Sequence, residues 1–214
     1  MILGIISVVL FIIICLRAVK KTFLKRNRIF TKIHLPASVV FVIILIVHII
    51  FAFPLLKSRL VIVFITGIIG LIFICLSIIS GVGRKIKMHR IFALCAFIFI
   101  ALHIVFNLAG VVQYQNQVKN IVIENIDISK IPDGIYTGEC NVTFIYAKVE
   151  VTVESGGIAN ITILEHRNER GRPAESVIND ILDNQRIDVD AVSGATNSSA
   201  VIKKAIENAL CNTG

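Results

Sequence analysis

Residues 34–48, HLPASVVFVIILIVH, and residues 89–103, HRIFALCAFIFIALH, each begin and end with a histidine inside a hydrophobic stretch. An α-helix rises 1.5 Å and turns 100° per residue, so the second imidazole of each segment lies about 21 Å from the first and about 40° around the helix. Imidazoles in lipid are unfavourable and therefore suggest a function. We expect two helices that each present histidines at two depths.

The two segments belong to a longer repeat. KIH at 32–34 returns as KMH at 87–89, and HIIF at 48–51 returns as HIVF at 103–106, both with an offset of 55 residues. A duplicated helical hairpin explains why the lysines and histidines repeat together. Pro36 favours a helix that starts close to the first histidine, because proline is tolerated in the first helical turn.

Four apolar stretches approach the length that crosses a membrane, which takes about 20 residues. They lie at residues 2–18, 35–56, 60–82 and 91–112. Together, the connections after the first and third stretches hold most of the basic residues in this part of the chain. The positive-inside rule places such connections in the cytoplasm. We therefore expect a multi-pass protein of the cell membrane, with its N-terminus and its C-terminal domain outside.

The distribution of charge separates the chain into two parts. Up to Asn120 there are 14 Lys and Arg and no acidic residue, whereas the rest of the chain holds 8 Lys and Arg and all 14 Asp and Glu. The basic residues form short clusters between apolar stretches, which is typical of loops that flank membrane helices. The net charge of +8 therefore indicates membrane topology and not binding of nucleic acid.

The predicted topology pairs the four histidines. The second and fourth helices run in the same direction, so His34 matches His89 near the cytoplasmic face and His48 matches His103 in the outer half. Two b-type haems, each held by one pair, explain all four side chains. Without haem, the outer pair would lack partners deep in lipid, which is unfavourable by roughly 2 to 7 kcal/mol on transfer scales.

Two other interpretations of the histidines are open. A single histidine near a helix end is often an interfacial or packing residue, which applies to His34 and His89 when each is considered alone. Zinc is the other ligand hypothesis. A separation of about 21 Å along each helix, with no acids or thiols at matching depths, does not suit a zinc site.

The sequence pattern changes beyond residue 131. DGIYTGE at 133–139 is rich in turn-forming residues, whereas AKVEVTV at 147–153 and IANITIL at 158–164 alternate with period two, and together they predict two or three antiparallel strands. AESVINDILDNQ at 174–185 and SSAVIKKAIENAL at 198–210 have helical periodicity. We expect a small α+β domain whose final helix follows a turn rich in hydroxyl groups.

That turn has the chemistry of an anion site. The N-terminus of a helix has unpaired amides and the positive end of the helix dipole, both of which stabilise a phosphate. Gly194 permits close approach or an unusual backbone angle, and Thr196 places a hydroxyl at the helix start. Ordinary helix capping by Thr196 or Asn197 explains the same residues.

DAVSGAT at 190–196 resembles the DxxSGAT flavinylation motif of the FMN-binding domain family, which includes the covalent-flavin subunits of the sodium-pumping NADH:quinone oxidoreductase and the Rnf complexes. DGIYTGE at 133–139 and EHRNERG at 165–171 also resemble the family, so the resemblance covers roughly residues 132–212. It implies that one FMN is joined by a phosphoester to Thr196. A separate flavin transferase that needs Mg²⁺ would attach it outside the membrane.

The resemblance also implies which residues surround the flavin. Asp190 matches the acid associated with the attachment reaction, and His166 lies where the family often has a polar residue. The sequence departs from the family pattern at Cys140 and Phe144, in a stretch that is often small and flexible. The implied cofactor-binding residues are Asp190, Ser193, Gly194, Ala195, Thr196, Tyr136, Gly138 and His166.

The cysteines give little information about function. Cys15, Cys75 and Cys95 lie in apolar helices, where small packing residues are expected. Cys140 and Cys211 lie in the outer domain, where oxidation is permitted, and a disulfide between them is an open alternative.

These features predict a membrane α-helical bundle with a small extracytoplasmic α+β domain. We divide the chain into a four-helix transmembrane dihaem domain at 1–115, a linker at 116–131 and an FMN-binding domain at 132–214. By its histidine pattern the bundle resembles dihaem cytochrome b modules and ferric-reductase-like membrane domains.

The expected function is an oxidoreductase that moves electrons across the lipid bilayer. They would pass from a cytoplasmic-side reductase or quinol through the haems to FMN, and then to a soluble external acceptor. No glycine pattern for nucleotide binding is present, so the donor lies elsewhere. A haem-free, membrane-anchored flavoprotein subunit of a larger redox complex is the alternative, and a sensor or assembly factor with a degenerate flavin domain is a third.

Overall fold

A computed structural model describes residues 2–23, 29–53, 60–124 and 126–211. The side chains at 2–3, 15–23 and 29–33 are outside this description. Cys15 and most of the basic residues predicted between the first two helices therefore lie outside the described residues, as do Lys57 and Arg59 of the second connection. The described residues form two compact units. One holds the residues up to 106 apart from Leu60, and the other holds Leu60 and the residues from Asn107 onward.

The first unit is helical. Its elements are α1 (Ile2–Phe23), α2 (Ile29–Ala52), α3 (Val61–Val82) and the first part of α4 (Ile86–Lys119), whose residues from Asn107 onward belong to the second unit. Helix α2 begins at Ile29, so Pro36 lies inside the helix and not in its first turn. The expectation of a helix start close to His34 was wrong. Proline inside a helix is unfavourable by only a few kcal/mol, and the apolar residues around Pro36 favour a longer helix.

Three of the described helices are long and apolar enough to cross a membrane: His34–Ala52 of α2, Val61–Val82 and Ile86–Lys119. The apolar part of α1 whose side chains are described, Gly4–Ile14, is shorter. Membrane-length helices thus precede the C-terminal domain, and the fourth span stays a prediction.

Helix α3 has its small and hydroxyl-bearing residues on the inside. Thr66, Ser77 and Ser80 are buried, whereas Ile65 and Ile79 are exposed. The hydroxyls of Thr66 and Ser80 donate to backbone carbonyls four residues earlier, at 2.9 and 2.7 Å. This arrangement suits a membrane bundle, because small residues allow close helix packing and lipid solvates the large apolar ones.

The second unit contains a three-stranded antiparallel sheet. Its strands are β1 (Gly134–Val142), β2 (Ile145–Glu154) and β3 (Gly157–Arg167), in the order β1-β2-β3. Ser155 and Gly156 have positive φ values of 53° and 77° in the tight turn between β2 and β3. The prediction of two or three antiparallel strands is confirmed with three, and β1 occupies the stretch that was predicted to be rich in turns.

Two helices complete this unit. α5 spans Val177–Asn184, after a 3-10 turn at Arg172–Ser176, and α6 spans Thr196–Cys211. Residues 187–192, between these two helices, join no strand of the sheet. The predicted final helix is present and begins two residues earlier than expected, at Thr196 and not at Ser198.

Helix α6 packs on one face of the sheet. In β2 the buried residues alternate with half-buried ones, and Val149, Val151 and Val153 are fully buried. Ile202 and Ile206 of α6 are also fully buried in this core. Alternation in the strand and helical spacing in α6 place both apolar faces against each other.

Gly138 of β1 is needed for this contact. A Cβ atom at this position would overlap the backbone of Ala205 and Ala209 in α6. We expect Gly138→Ala to lower the melting temperature of the second unit by about 4 °C or more, since overpacking costs about 1–3 kcal/mol. Thermal unfolding of the full chain in detergent measures the effect. Gly134→Ala is the control, because its Cβ would meet only the Tyr136 ring; equal melting temperatures would contradict the prediction.

Residues 116–131, predicted as a linker, pack onto this unit. Helix α4 continues to Lys119, past residue 115. The side-chain carbonyl of Gln117 accepts hydrogen bonds from the Thr143 amide and hydroxyl, both at 2.7 Å. Ile121 and Ile126 pack against the core. Ile121 and Ile126 thus pack this segment against the core of the second unit.

The described cysteines, which are Cys75, Cys95, Cys140 and Cys211, are free thiols. The disulfide considered between Cys140 and Cys211 is therefore absent. Burial raises the pKa of the Cys140 thiol. A raised pKa leaves less of the reactive thiolate at neutral pH, which fits a packing role.

Candidate functional site

The structure brings the histidines of the helical unit together in the expected pairs. The ring centroids of His34 and His89 are 6.2 Å apart, with planes at 87°. Those of His48 and His103 are 6.4 Å apart, with planes at 86°. Among the described residues, no group of three or more His, Cys, Asp or Glu could hold a metal ion. The pairs are therefore the candidate ligand sets of this unit.

The spacing within each pair suits an iron atom between two imidazoles. An imidazole nitrogen binds a transition metal at about 2 Å, so two rings that share one metal have centroids about 6 Å apart. The two observed separations match this value. Iron ligation by the four histidines stays a prediction, which the geometry permits.

Helix α3 determines which nitrogen of each α4 histidine is available. Nδ1 of His103 is 2.9 Å from the Val63 carbonyl oxygen. Nδ1 of His89 is 2.9 Å from the Ser77 carbonyl oxygen and 3.1 Å from the Ser77 hydroxyl. A carbonyl only accepts, so each Nδ1 carries the proton and donates it, which leaves the Nε2 lone pair for a metal. Metal-binding histidines are commonly oriented in this way.

Glycines make room for these imidazoles. A Cβ on Gly67 would lie 3.1 Å from Nδ1 of His103, and one on Gly81 would lie 3.1 Å from Nδ1 of His89. In α1, a Cβ on Gly4 would lie 3.6 Å from Cε1 of His48. Sequence analysis missed these positions. The signal was available, because Gly67 and Gly81 are separated by the same number of residues as the two α4 histidines.

We expect Gly67→Ala to disturb the outer histidine pair. The added methyl group is closer to the His103 ring than ordinary packing allows, so the ring must tilt or shift. The expected result is a reduced haem content or an altered ligand-field spectrum, measured by electron paramagnetic resonance of the oxidised protein. Gly70→Ala is the matched control on α3, because its Cβ would have ordinary contacts with Ile100 at 3.6 Å. Identical spectra for the two variants would contradict the prediction.

A layer of apolar side chains lies midway between the two histidine levels. Phe41 is halfway along α2 between its two histidines, and Ala96 is halfway along α4 between its own. Both are buried with Phe11 and Ile74 in one cluster. The rings of Phe11 and Phe41 are 5.4 Å apart. This packing excludes water from the region between the pairs.

The motif loop at 190–196 is fastened to α6. Ser199 accepts a hydrogen bond from the Val192 amide at 3.1 Å and donates its hydroxyl to the Ala195 carbonyl at 3.1 Å. The buried ammonium of Lys203 donates to the Val189 carbonyl at 2.6 Å. Gly194 has a φ of 76°, which favours glycine. Side chains of α6 therefore hold the loop in one conformation.

Thr196 is the first residue of α6, and it is exposed. The first helical hydrogen bond runs from the Ser199 amide to the Ala195 carbonyl at 2.9 Å. The amides of the first helical turn have no partner within the helix and favour an anion there. An accessible hydroxyl and this favourable electrostatic environment coincide at Thr196.

A cavity of about 510 Å³ lies beside Thr196. Its volume is within the range of small-molecule sites, roughly 300–1,000 Å³. Its walls come from the end of α4, the turn between β1 and β2, the loop after β3 and the first turn of α6. Of the predicted flavin-binding residues, Gly194, Ala195 and Thr196 line the cavity.

The other predicted flavin-binding residues do not line it. The Tyr136 hydroxyl donates to the Pro132 carbonyl at 2.7 Å, and Gly138 packs against α6. Nδ1 of His166 contacts the Glu175 carboxylate at 2.9 Å, and its side chain is only 2% exposed. Asp190 and Ser193 are exposed on the motif loop. Contacts between these five residues and a flavin stay predictions.

Most of the cavity residues were not predicted as flavin contacts. Among them, Arg170 brings a cationic side chain to the lining, and Tyr114 and Phe144 bring aromatic rings. Gly171 lets the loop after β3 approach α6, because a Cβ there would overlap the Ser198 side chain. The sequence pointed to this loop through EHRNERG at 165–171, which resembles the family. Nothing in the local sequence near Tyr114 indicates that it faces the cavity.

Comparison with known proteins supports the assignment of the second unit. The family model of the FMN-binding domain matches residues 146–211, which include the motif loop, Thr196 and Arg170. Tyr114 and Phe144 lie outside the matched residues. Neither a curated protein nor a solved structure matches the chain. Residues 146–211 thus match the FMN-binding domain family, which indicates a flavin-based redox function, and they follow three described helices of membrane length in the same chain.

Proposed function

We propose that this protein is a membrane flavocytochrome. It carries electrons from a cytoplasmic-side reductase or quinol through two b-type haems to FMN on Thr196, and then to a soluble extracytoplasmic acceptor. The observation that supports this best is the combination of two histidine pairs at the spacing of iron ligands with an FMN-binding domain in one chain.

The inner haem is held by His34 and His89, and the outer haem by His48 and His103. Haem iron bound by two histidines would supply one-electron transfer. The chain contributes the orientation of the ligands, since α3 carbonyls accept the Nδ1 protons of both α4 histidines. The apolar layer between the pairs keeps water away from the route.

FMN is joined to the Thr196 hydroxyl by a phosphoester, and it supplies chemistry in one-electron or two-electron steps. The amides of the first turn of α6 and the guanidinium of Arg170 stabilise the phosphate charge. Lys203 and Ser199 keep the motif loop in place beside it. A flavin transferase acts on this loop during maturation, and Mg²⁺ is required only then.

Helix α4 supports the coupling of the two cofactors. It carries one ligand of each histidine pair, and Tyr114 of the cavity lies further along the same helix.

We place the protein in the cell membrane, with the N-terminus and the flavin domain outside. The positive-inside rule supports this orientation, because the basic connections follow the first and third apolar stretches. Lys85, Lys87 and Arg90 lie in or just after the connection between α3 and α4. The flavin is then attached and reoxidised on the outer side.

The experiment that tests the proposal counts the cofactors of the full chain purified in detergent. Intact mass measures covalent FMN, and a haem extraction assay with reduced-minus-oxidised spectra measures b-type haem. We expect one FMN and two haems per chain. One FMN with no haem would favour the haem-free subunit of a larger redox complex, and the absence of both cofactors would favour a sensor or assembly factor.

A further inference from the structure

We propose that Tyr114 and Phe144 form the platform against which the isoalloxazine ring of FMN packs. The end of helix α4 is then part of the flavin site, although it lies outside the matched residues 146–211. This inference rests on the proposed attachment of FMN to Thr196. It adds a ring-binding subsite that the motif does not describe.

The two rings form one apolar surface in the cavity. Their centroids are 5.1 Å apart, with an angle of 33° between the planes. Phe144 is 5% exposed as a whole residue, yet it lines the cavity together with Tyr114. Aromatic side chains at this distance favour offset packing with a further flat ring.

The polarity of the cavity orients FMN. Gly171 approaches the Ser198 side chain in the first turn of α6, whereas Val111 and Ile145 add apolar side chains to those of the two aromatic rings in the cavity lining. FMN has an anionic phosphate at one end and a flat, largely apolar ring at the other. With the phosphate on Thr196, the isoalloxazine ring is most favourably placed against the apolar surface of Tyr114 and Phe144.

Hydrogen bonds connect the attachment site to this wall. The Asn197 side-chain amide donates to the Tyr114 hydroxyl at 2.9 Å, and Asn197 directly follows Thr196. The second platform residue is also held by its neighbour, because Thr143 directly precedes Phe144 and its amide and hydroxyl donate to the Gln117 side chain at 2.7 Å. Both platform residues are thus held in place by their neighbours.

Gly110 provides the space for Phe144. A Cβ at this position would lie 3.3 Å from Cζ of Phe144 and 3.1 Å from Cδ1 of Leu60. Gly110 is buried in the part of α4 that belongs to the second unit. A larger residue at position 110 would push the Phe144 ring away from α4 and change the aromatic surface of the cavity.

The test uses Tyr114→Leu in the full chain. Flavin fluorescence in a denaturing gel measures covalent FMN, and the native protein gives flavin fluorescence yield and anisotropy per attached flavin. We expect covalent FMN to remain, the native yield to rise by about threefold or more, and the anisotropy to fall, because the ring loses its stacking partner. Phe144→Leu should change the same quantities, so the inference does not depend on one variant folding.

Tyr146→Leu is the matched control. The Tyr146 hydroxyl donates to the Glu139 carboxylate at 2.6 Å, which raises the pKa of Tyr146 to about 12, and this residue does not line the cavity. Its flavin signals should equal those of the wild type. Unchanged yield and anisotropy in both platform variants, with FMN attached, would overturn this inference alone. A wild-type protein without covalent FMN would overturn the proposed flavin attachment, and this inference with it.

Discussion

Thr196→Ala is expected to remove covalent FMN from the protein completely. The Thr196 hydroxyl is exposed at the start of α6, beside the cavity, and alanine offers no oxygen for a phosphoester. Flavin fluorescence in a denaturing gel should fall to background, and electron transfer to external acceptors should fall with it. Thr196→Ser retains a hydroxyl at the same place and should restore at least part of the attachment.

The control for this result is Thr162→Ala. Thr162 is an exposed threonine of β3 within the same domain, and its hydroxyl accepts a hydrogen bond from the Asn160 side chain at 3.2 Å. Its removal should leave the covalent flavin signal unchanged. A fluorescent band of normal intensity in Thr196→Ala would show that FMN is attached elsewhere, and it would end the proposed role of Thr196.

Periodic patterns predicted much of this fold. Strand alternation identified β2 and β3, and helical spacing identified α6, because each pattern follows the geometry of a single element. The histidine pairs were also predictable, since a constant offset between two helices that run in the same direction places equal positions side by side. Thr196 could be placed at a helix start because local residue types determine where a helix begins.

Contacts between distant residues could not be predicted in this way. Tyr114 and Asn197 are 83 positions apart in sequence, and no local pattern connects them. The loop that carries Arg170 can approach α6 because a Cβ on Gly171 would overlap the Ser198 side chain. Residues 116–131 were predicted as a linker, although Ile121 and Ile126 pack against the core. Such contacts arise from tertiary packing, which propensity and periodicity do not encode.

The unpredicted contacts show that the cavity includes residues outside the part of the sequence that matches the family. The FMN-binding domain is matched from residue 146, but its cavity uses Tyr114 and Phe144. Helix α4 contributes Tyr114 after it has contributed His89 and His103.

His103→Leu is expected to reduce the haem content from two per chain to one. His103 faces His48 with ring centroids 6.4 Å apart, and leucine leaves this site with one imidazole ligand. The inner pair keeps both ligands, so its haem should remain. The haem-to-protein ratio and the reduced b-type α band should each fall by about half, as expected when one of two bis-histidine sites is lost.

Combinations of substitutions separate a shared site from general damage to the bundle. If His48 and His103 bind the same iron, the variant carrying both His48→Leu and His103→Leu should lose no more haem than His103→Leu alone, because residues that share a partner are not additive. Combining His89→Leu with His103→Leu should remove both haems. Leu102→Ala, at an exposed residue next to His103, should retain two. Full haem content in His103→Leu would contradict the assignment, and graded loss in Leu102→Ala would indicate that the bundle itself is disrupted.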